Sequence, residues 1–373
     1  MFLAVREIMH SKTKFSMIIV IFVLLAWLVF ILSGLGNGLS TLAAAVFKNM
    51  DADYVVFQED ARSSMSKSVL TDDLMQDVKA SPDVKDAAAM GSSLATVVKH
   101  ASGGKSNKVD VAIIGIDAGS FLEPAVIEGQ KLSDQSSTKV IVNSTLRDEG
   151  FRIGDTLRLD GSKEKMTISG FVENQSYNHL PAVFTPMSEW RKVAFAAPGS
   201  DKGIKNPVNA VMLQGENIDP AKIDKLLSGT ETVTKNKAVQ SMPGYKEESG
   251  TISMMLAFLF VISGFVLGVF FYVLTLQKTN QFGIMKAIGA DNRFLSRAIV
   301  SEVFLLTVIS IVTGVLLTYG TAAILPSAIP FKLDPLLVVL YSVALLIIAL
   351  LSSLISVRRI TKIDPLQALG RVE

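Results

Sequence analysis

Residues Phe15 to Phe47 contain no Asp, Glu, Lys or Arg, and neither do Ser249–Gln277, Val303–Phe331 and Pro335–Val357. A helix needs about 20 apolar residues to cross the hydrocarbon of a bilayer. Each run is therefore long enough to span. The first is too long for a cleavable signal, so it reads as an uncleaved anchor. The chain between the first two runs is polar and must fold in water. The composition fits that split: 49% hydrophobic and 19% charged, too apolar for an ordinary soluble domain and too charged for a chain that is all membrane.

Orientation follows from Lys and Arg in the short flanks. Basic residues gather at the N-terminus (Arg6, Lys12, Lys14), between the second and third runs (Lys278, Lys286, Arg293, Arg297) and in the tail (Arg358, Arg359, Lys362, Arg371). The turn between the third and fourth runs carries only Lys332 and Asp334. These flanks predict a multi-pass protein of a bacterial plasma membrane with both termini cytoplasmic. The expected order is a cytoplasmic amphipathic helix (1–14), span one (15–47), an extracytoplasmic domain (48–248) and span two (249–277). A cytoplasmic segment (278–297), span three (298–325), a short external turn (326–334), span four (335–357) and a cytoplasmic tail (358–373) follow.

The external block is long enough for one or two domains and reads as mixed α/β. "ADYVVF" (52–57) reads as a strand, and "KVIVNSTL" (139–146) as a strand entering a short helix. "GDTLRLDGSKEKMTISGFV" (154–172) reads as two strands around an Asp-Gly turn. "TDDLMQDVKASPDV" (71–84) has helical spacing after a Thr N-cap, with Pro82 as the stop. "GGKS" (103–106) mimics the end of a phosphate loop, but Lys99 stands where that loop needs glycine, so it reads as a hairpin tip. "SYNHLP" (176–181) reads as a surface loop. Asn143-Ser144-Thr145 and Asn174-Gln175-Ser176 match the glycosylation triplet, which is frequent by chance.

Several classes are excluded. There are no cysteines, hence no disulfide framework, thiolate metal site or cysteine nucleophile. The three histidines, His10, His100 and His179, are far apart in sequence and make no His-rich metal site in one copy. A net charge near +2 leaves no footprint for nucleic acid.

On a helical wheel of "NQFGIMKAIGADNRFL" (280–295), Ile284, Met285 and Ile288 share one arc, and Gly283, Lys286 and Ala287 the opposite side. One face suits lipid headgroups or the spans, and the other admits the backbone of another protein. Gly289 ends or loosens this helix, and Asp291 can cap the next. At the N-terminus Met1, Phe2, Val5, Ile8 and Met9 share a face opposite Arg6, Glu7 and His10. Asp364-Pro365 would cap a short tail helix. Periodicity alone fits plain interfacial anchors equally well.

"FGIMKAIGADNRFL" resembles the cytoplasmic signature of FtsX-like, macrolide-exporter-type permeases of ABC transporters. "GDTLRL…ISGFV" is similar to an element of their external domain, and "DPLQAL" to their terminal pattern. Within that family, "LAVREIMHSKTKFSMIIVI" and "FILSGLGNGL…NMDADYV" look most like the haem-export (Hrt-type) permeases. The resemblance implies a membrane permease that works as a pair of copies, with two copies of a separate cytoplasmic ATPase subunit. That subunit would carry ATP and Mg, since no nucleotide-binding motif occurs here and the chain is not expected to be an enzyme. Gly283, Lys286, Ala287 and Gly289 would sit where the ATPase docks, with Arg6 and Glu7 a second contact. Haem would be the substrate of an efflux pump driven by closure of the homodimer. A non-transporting permease that transmits ATPase motion to a cell-envelope partner, or an exporter of antimicrobial peptides or lipoproteins, is the alternative.

Gly34-x-x-x-Gly38 and Gly264-x-x-x-Gly268 are candidates for close helix packing or dimer contact. Glu302, near the inner surface, is expected to snorkel or to pair with a nearby Arg. Phe47, Asn49 and Met50 end span one, and Met242, Tyr245, Glu247 and Glu248 lead into span two. Together these residues offer ligand types for a haem iron (Met50, Glu247, Glu248), an aromatic for stacking, and Lys48 and Lys246 for carboxylates. Ordinary interfacial residues would look similar.

Overall fold

A computed structural model of the protein describes residues 12–361, apart from 101–105, 133–137, 162–163 and 327–328. Helix α1 (Lys12–Asn49) leads into strands β1 (Tyr54–Gln58) and β2 (Leu70–Thr71), helix α2 (Leu74–Lys79), and the long strands β3 (Asp86–His100) and β4 (Ser106–Ile116). Strands β5 (Val126–Gly129), β6 (Lys139–Asn143), β7 (Thr156–Leu159), β8 (Lys165–Val172), β9 (Ser176–Tyr177) and β10 (Leu180–Pro186) follow. Next come α3 (Met187–Ala194), β11 (Pro207–Val208), β12 (Ala210–Gln214), α4 (Pro220–Leu226), β13 (Thr230–Thr234) and α5 (Lys235–Gln240). Four helices complete the described residues, α6 (Tyr245–Gln277), α7 (Thr279–Ala287), α8 (Asn292–Ile324) and α9 (Pro335–Thr361). Two compact units result: Leu39–Glu248, and the described residues on either side of it.

Among the described residues, four helices are long and apolar enough to cross a membrane: Phe15–Asn49, Tyr245–Gln277, Asn292–Ile324 and Pro335–Leu354. Val261, Phe265, Leu316 and Leu336 on their outer faces are exposed, as lipid-facing side chains are. Two apolar clusters fill the interior, one around Phe22, Phe271 and Ile299, the other around Val29, Phe30 and Leu259. Apolar side chains gain little by leaving lipid for one another, so close packing of small residues carries helix association. A Cβ on Gly34 would overlap the Phe331 ring, and one on Gly38 the Pro330 carbonyl. The turn before α9 is tied to the same stretch by Lys332 N donating to Gly34 O (3.0 Å) and Asn37 Nδ2 to Lys332 O (3.0 Å). A Cβ on Gly264 would lie 3.1 Å from Ile348, and one on Gly268 3.9 Å from Ser352. All four glycines thus lie against elements of their own chain.

The second unit is built on a mixed sheet of order β13-β1-β12-β3-β4-β10-β6-β8-β5, with β7 and β9 paired alongside. β10 runs parallel to β4 and β6 parallel to β8, and the other pairs are antiparallel. Both faces are covered, so central strands read as unbroken apolar runs. In β4, Val111 and Ile113 enter one core with α2, α3 and α4, while Ala112, Ile114 and Ile116 enter the other. The second core also takes in Ala43, Val46, Phe47 and Met50 of α1 and Met242 before α6. The last turns of α1 therefore belong to the sheet unit.

The strand at 52–57, the strand and short helix at 139–147, and the antiparallel pair β7–β8 lie where the sequence patterns put them. Gly103, Gly104 and Lys105 lie outside the described residues, and Ser106 opens β4 opposite His100. Thr71 is not the N-cap of α2. It ends β2, and its hydroxyl accepts from Asp73 N (3.4 Å), while Asp73 occupies the cap position.

Candidate functional site

Helix α1 loses regular geometry at Ala44 (φ −139°, ψ 19°). Buried backbone carbonyls freed by such a kink need donors. Asn178 N donates to Ala43 O (2.8 Å), His179 N to Leu42 O (3.1 Å), and Ser176 Oγ to Thr41 O (3.1 Å). These donors sit on one hairpin, in which Tyr177 pairs with Leu180 and Ser176 with Pro181. Its two-residue turn, Asn178 and His179, has φ of 51° and 64°, the double left-handed geometry of a type I′ turn. Asn49 Nδ2 reaches Asn174 O (2.8 Å), and Asn143 Nδ2 holds Gln175 O. "SYNHLP" is thus no free surface loop. It is a clasp on the opened end of α1, with Tyr177 buried beneath it.

The clasp sorts the candidate residues. Phe47 is buried and stacks on Tyr177 (centroids 6.0 Å, 30°). Met50 and Met242 are buried in the same core, so their sulfurs do not face outward. Tyr245, Glu248 and Lys48 are part-exposed, and Asn49 and Glu247 are exposed. Ser40 Oγ donates to Tyr245 OH (2.9 Å) and accepts from Lys48 Nζ (2.5 Å), which lies 5.2 Å from the Tyr245 ring centroid. His179 Nε2 lies 3.1 Å from Glu248 Oε1, and Glu248 Oε2 is buried with no hydrogen-bond partner among the described residues. Burial pushes the Tyr177 phenol above its usual pKa, opposed by its hydrogen bond with Ser92, so it stays neutral. No group of three or more His, Asp or Glu that could hold a bare metal ion occurs among the described residues. Sequence reasoning missed Ser40 and His179. The signal for His179 was a two-residue turn between Tyr177 and Leu180-Pro181.

Within the helical unit, α7 closes with a Schellman pattern. Ala290 N donates to Met285 O (2.9 Å) and Gly289 N to Lys286 O (3.0 Å), with Gly289 at φ 97°. Asp291 holds the N-cap position of α8 without a side-chain cap bond. The face of α7 is rotated from the expectation. Phe282 anchors the inner cluster and carries Gly283 into burial with it, while Lys286 is part-buried. Ala287 and Gly289 are exposed, together with Ile284 (53%) and Ile288 (80%). Glu302 meets a lysine: Lys278 Nζ lies 2.7 and 2.8 Å from its two oxygens and 5.2 Å from the Phe15 ring centroid. Arg6 and Glu7 lie outside the described residues.

Four spanning helices, with a sheet domain inserted between the first and second, define a membrane permease with a large extracytoplasmic α/β domain. Residues 17–222 match the MacB-like periplasmic core domain, and residues 253–365 the FtsX-like permease C-terminal region. The chain belongs to this FtsX-like, MacB-type family of ABC transporter permeases. It is 26% identical over 371 residues to "Putative hemin transport system permease protein HrtB" of Staphylococcus haemolyticus, covering 100% of this chain and 99% of that protein. An uncharacterized ABC transporter permease of Mycobacterium tuberculosis is 24% identical over 373 residues, covering 99% of each. Among solved structures, the periplasmic region of MacB from Actinobacillus actinomycetemcomitans is similar at 13% identity and TM-score 0.38, over 53% of this chain and 97% of that one.

Proposed function

We propose that this permease exports haem, taking it from the outer leaflet beside the clasp and the start of α6. The observation that carries this reading is the full-length likeness to permeases named for hemin transport. The chemistry at the outer end of α1 supports it. Tyr245 offers a ring for a flat macrocycle, Glu247 and Glu248 offer oxygen donors, Lys48 and Lys246 suit propionates, and Asn49 borders them. Phe47, Met50 and Met242 form the floor of this place rather than its surface. Two copies of the chain would pair, each with a cytoplasmic ATPase, with both chain termini inside the cell. The exposed face of α7, with Ala287, Gly289, Ile284 and Ile288, would receive the ATPase. ATP-driven closure would then expel the substrate outward.

The test is a titration of the purified permease with ferric haem, followed in the Soret band. A saturable shift, weakened by Glu247→Gln with Glu248→Gln, supports haem. No shift in a dimer that still binds its ATPase removes haem and leaves the family. A second reading, motion passed to a cell-envelope partner without transport, draws on the burial of the α1 end in the sheet core. It predicts ATPase activity that responds to the partner and not to haem.

A further inference from the structure

We propose that His179 is an axial ligand for the iron of the substrate porphyrin, kept in place by Glu248. This rests on the haem reading and goes beyond it, because it puts an iron ligand on the hairpin that clasps α1.

The first support is position. The His179 backbone is fixed at the outer end of α1 by its N–H bond to Leu42 O (3.1 Å). It takes the second central place of the type I′ turn at φ 64°, where glycine is the usual residue. A turn built only for shape has no need of an imidazole there.

The second support is the carboxylate. Nε2 lies 3.1 Å from Glu248 Oε1, and the two side chains are 35% and 37% exposed. The ring is oriented yet open to a ligand. Ring rotation lets one nitrogen keep the carboxylate while the other binds iron. That is the arrangement by which a carboxylate fixes the tautomer of a metal-bound histidine and raises its basicity.

The third support is the donor set around it. The described residues hold no three-residue cage for a bare cation. A porphyrin brings four nitrogens of its own and asks the protein for only one or two axial donors. The sulfurs of Met50 and Met242 are buried in the sheet core, and the Tyr245 hydroxyl is engaged by Ser40. Of the imidazole and thioether donors that the sheet unit brings to the end of α1, the imidazole is the one presented. Glu248 Oε2, buried without a hydrogen-bond partner among the described residues, leaves that carboxylate able to strengthen its hold on a metal-bound ring.

The experiment compares the full chain with His179→Asn, which keeps a turn-compatible residue, and with Glu248→Gln. Each is titrated with ferric haem by absorbance and with iron-free protoporphyrin IX by fluorescence. The expected result is a shifted Soret maximum for the native chain and haem affinity lower by about tenfold or more in both variants. The native spectrum should return to His179→Asn on adding imidazole, and protoporphyrin affinity should be unchanged throughout. A His179→Asn chain with native Soret position and haem affinity overturns the ligand and leaves haem export standing. Equal loss of haem and protoporphyrin overturns it too, since the residue is then structural. A native chain that binds no haem removes both claims together.

Discussion

The buried pair Lys278–Glu302 gives a prediction whose size follows from its geometry. The two side chains are only 13% and 9% exposed. At the observed 2.7 Å, an effective dielectric of 20 gives about 6 kcal/mol of attraction. Desolvation of two ions costs several kcal/mol each and offsets most of that. The attraction and the desolvation of this pair therefore roughly cancel, while losing Lys278 takes one counter-charge away from a buried Glu302. Lys278→Met should destabilise the helical unit by about 3–5 kcal/mol, and Lys278→Met with Glu302→Leu should stay within about 1 kcal/mol of the native chain. At about 2–4 °C per kcal/mol, the single variant should melt about 6–20 °C lower. The assay is thermal unfolding in detergent followed by Trp27, which lies in α1 and donates to Thr321 Oγ1 (3.2 Å). A Trp190→Phe background removes the other tryptophan of the chain. Trp190 in a Trp27→Phe background should report an unchanged melt for the sheet unit. An unshifted Trp27 melt in the single variant, or a double variant that loses as much as the single, would refute the reasoning.

Gly38→Ala would drive a methyl into the Pro330 carbonyl. It should cost about 1–3 kcal/mol of overpacking and raise protease sensitivity in the turn between α8 and α9, while Gly268→Ala, with its nearest contact at 3.9 Å, should be tolerated. Tyr177 carries an alkaline prediction. Its folded pKa lies above the usual 10.0 because burial favours the neutral phenol. Its contribution to stability is therefore complete below about pH 10 and lost as pH rises through the folded value. Tyr177→Phe should cost about 1 kcal/mol at neutral pH through the lost Ser92 bond and flatten the alkaline fall of the Trp190 melt.

The membrane helices and the β7–β8 pair were legible because they depend on local pattern: an uncharged run, an Asp-Gly turn, alternation of apolar side chains. Long-range partners were not. "TLAAAVF" (41–47) contains no helix breaker, and the kink at Ala44 is held by a hairpin more than a hundred residues later in the chain. The rotation of α7 has the same origin. A wheel puts Ile284, Met285 and Ile288 together, but Phe282 is the α7 side chain buried in the cluster of Phe22 and Ile299, with Met285 packed beside it, and that fixes which side is buried. In sequence Lys278 is one more flank charge, since nothing in its surroundings announces that the joint between α6 and α7 turns it onto Glu302. Of the substrate candidates, the residue types at the ends of spans one and two could be named. Which of them face outward was set by the core of the sheet, so Met50 and Met242 proved internal while His179, set aside as a loop residue, came forward.

The sheet order also sets a timetable for synthesis. Among the described residues β1 pairs with β12 and β13 alone, Tyr54 facing Leu213 on one side and Thr234 on the other. As the ribosome releases the chain, that first strand stays unmatched until nearly the whole insertion has been made. Non-local pairing of this kind is slow, and an unmatched strand edge invites association between nascent chains. Truncations that stop short of β12 should therefore accumulate as aggregates rather than as smaller folded domains.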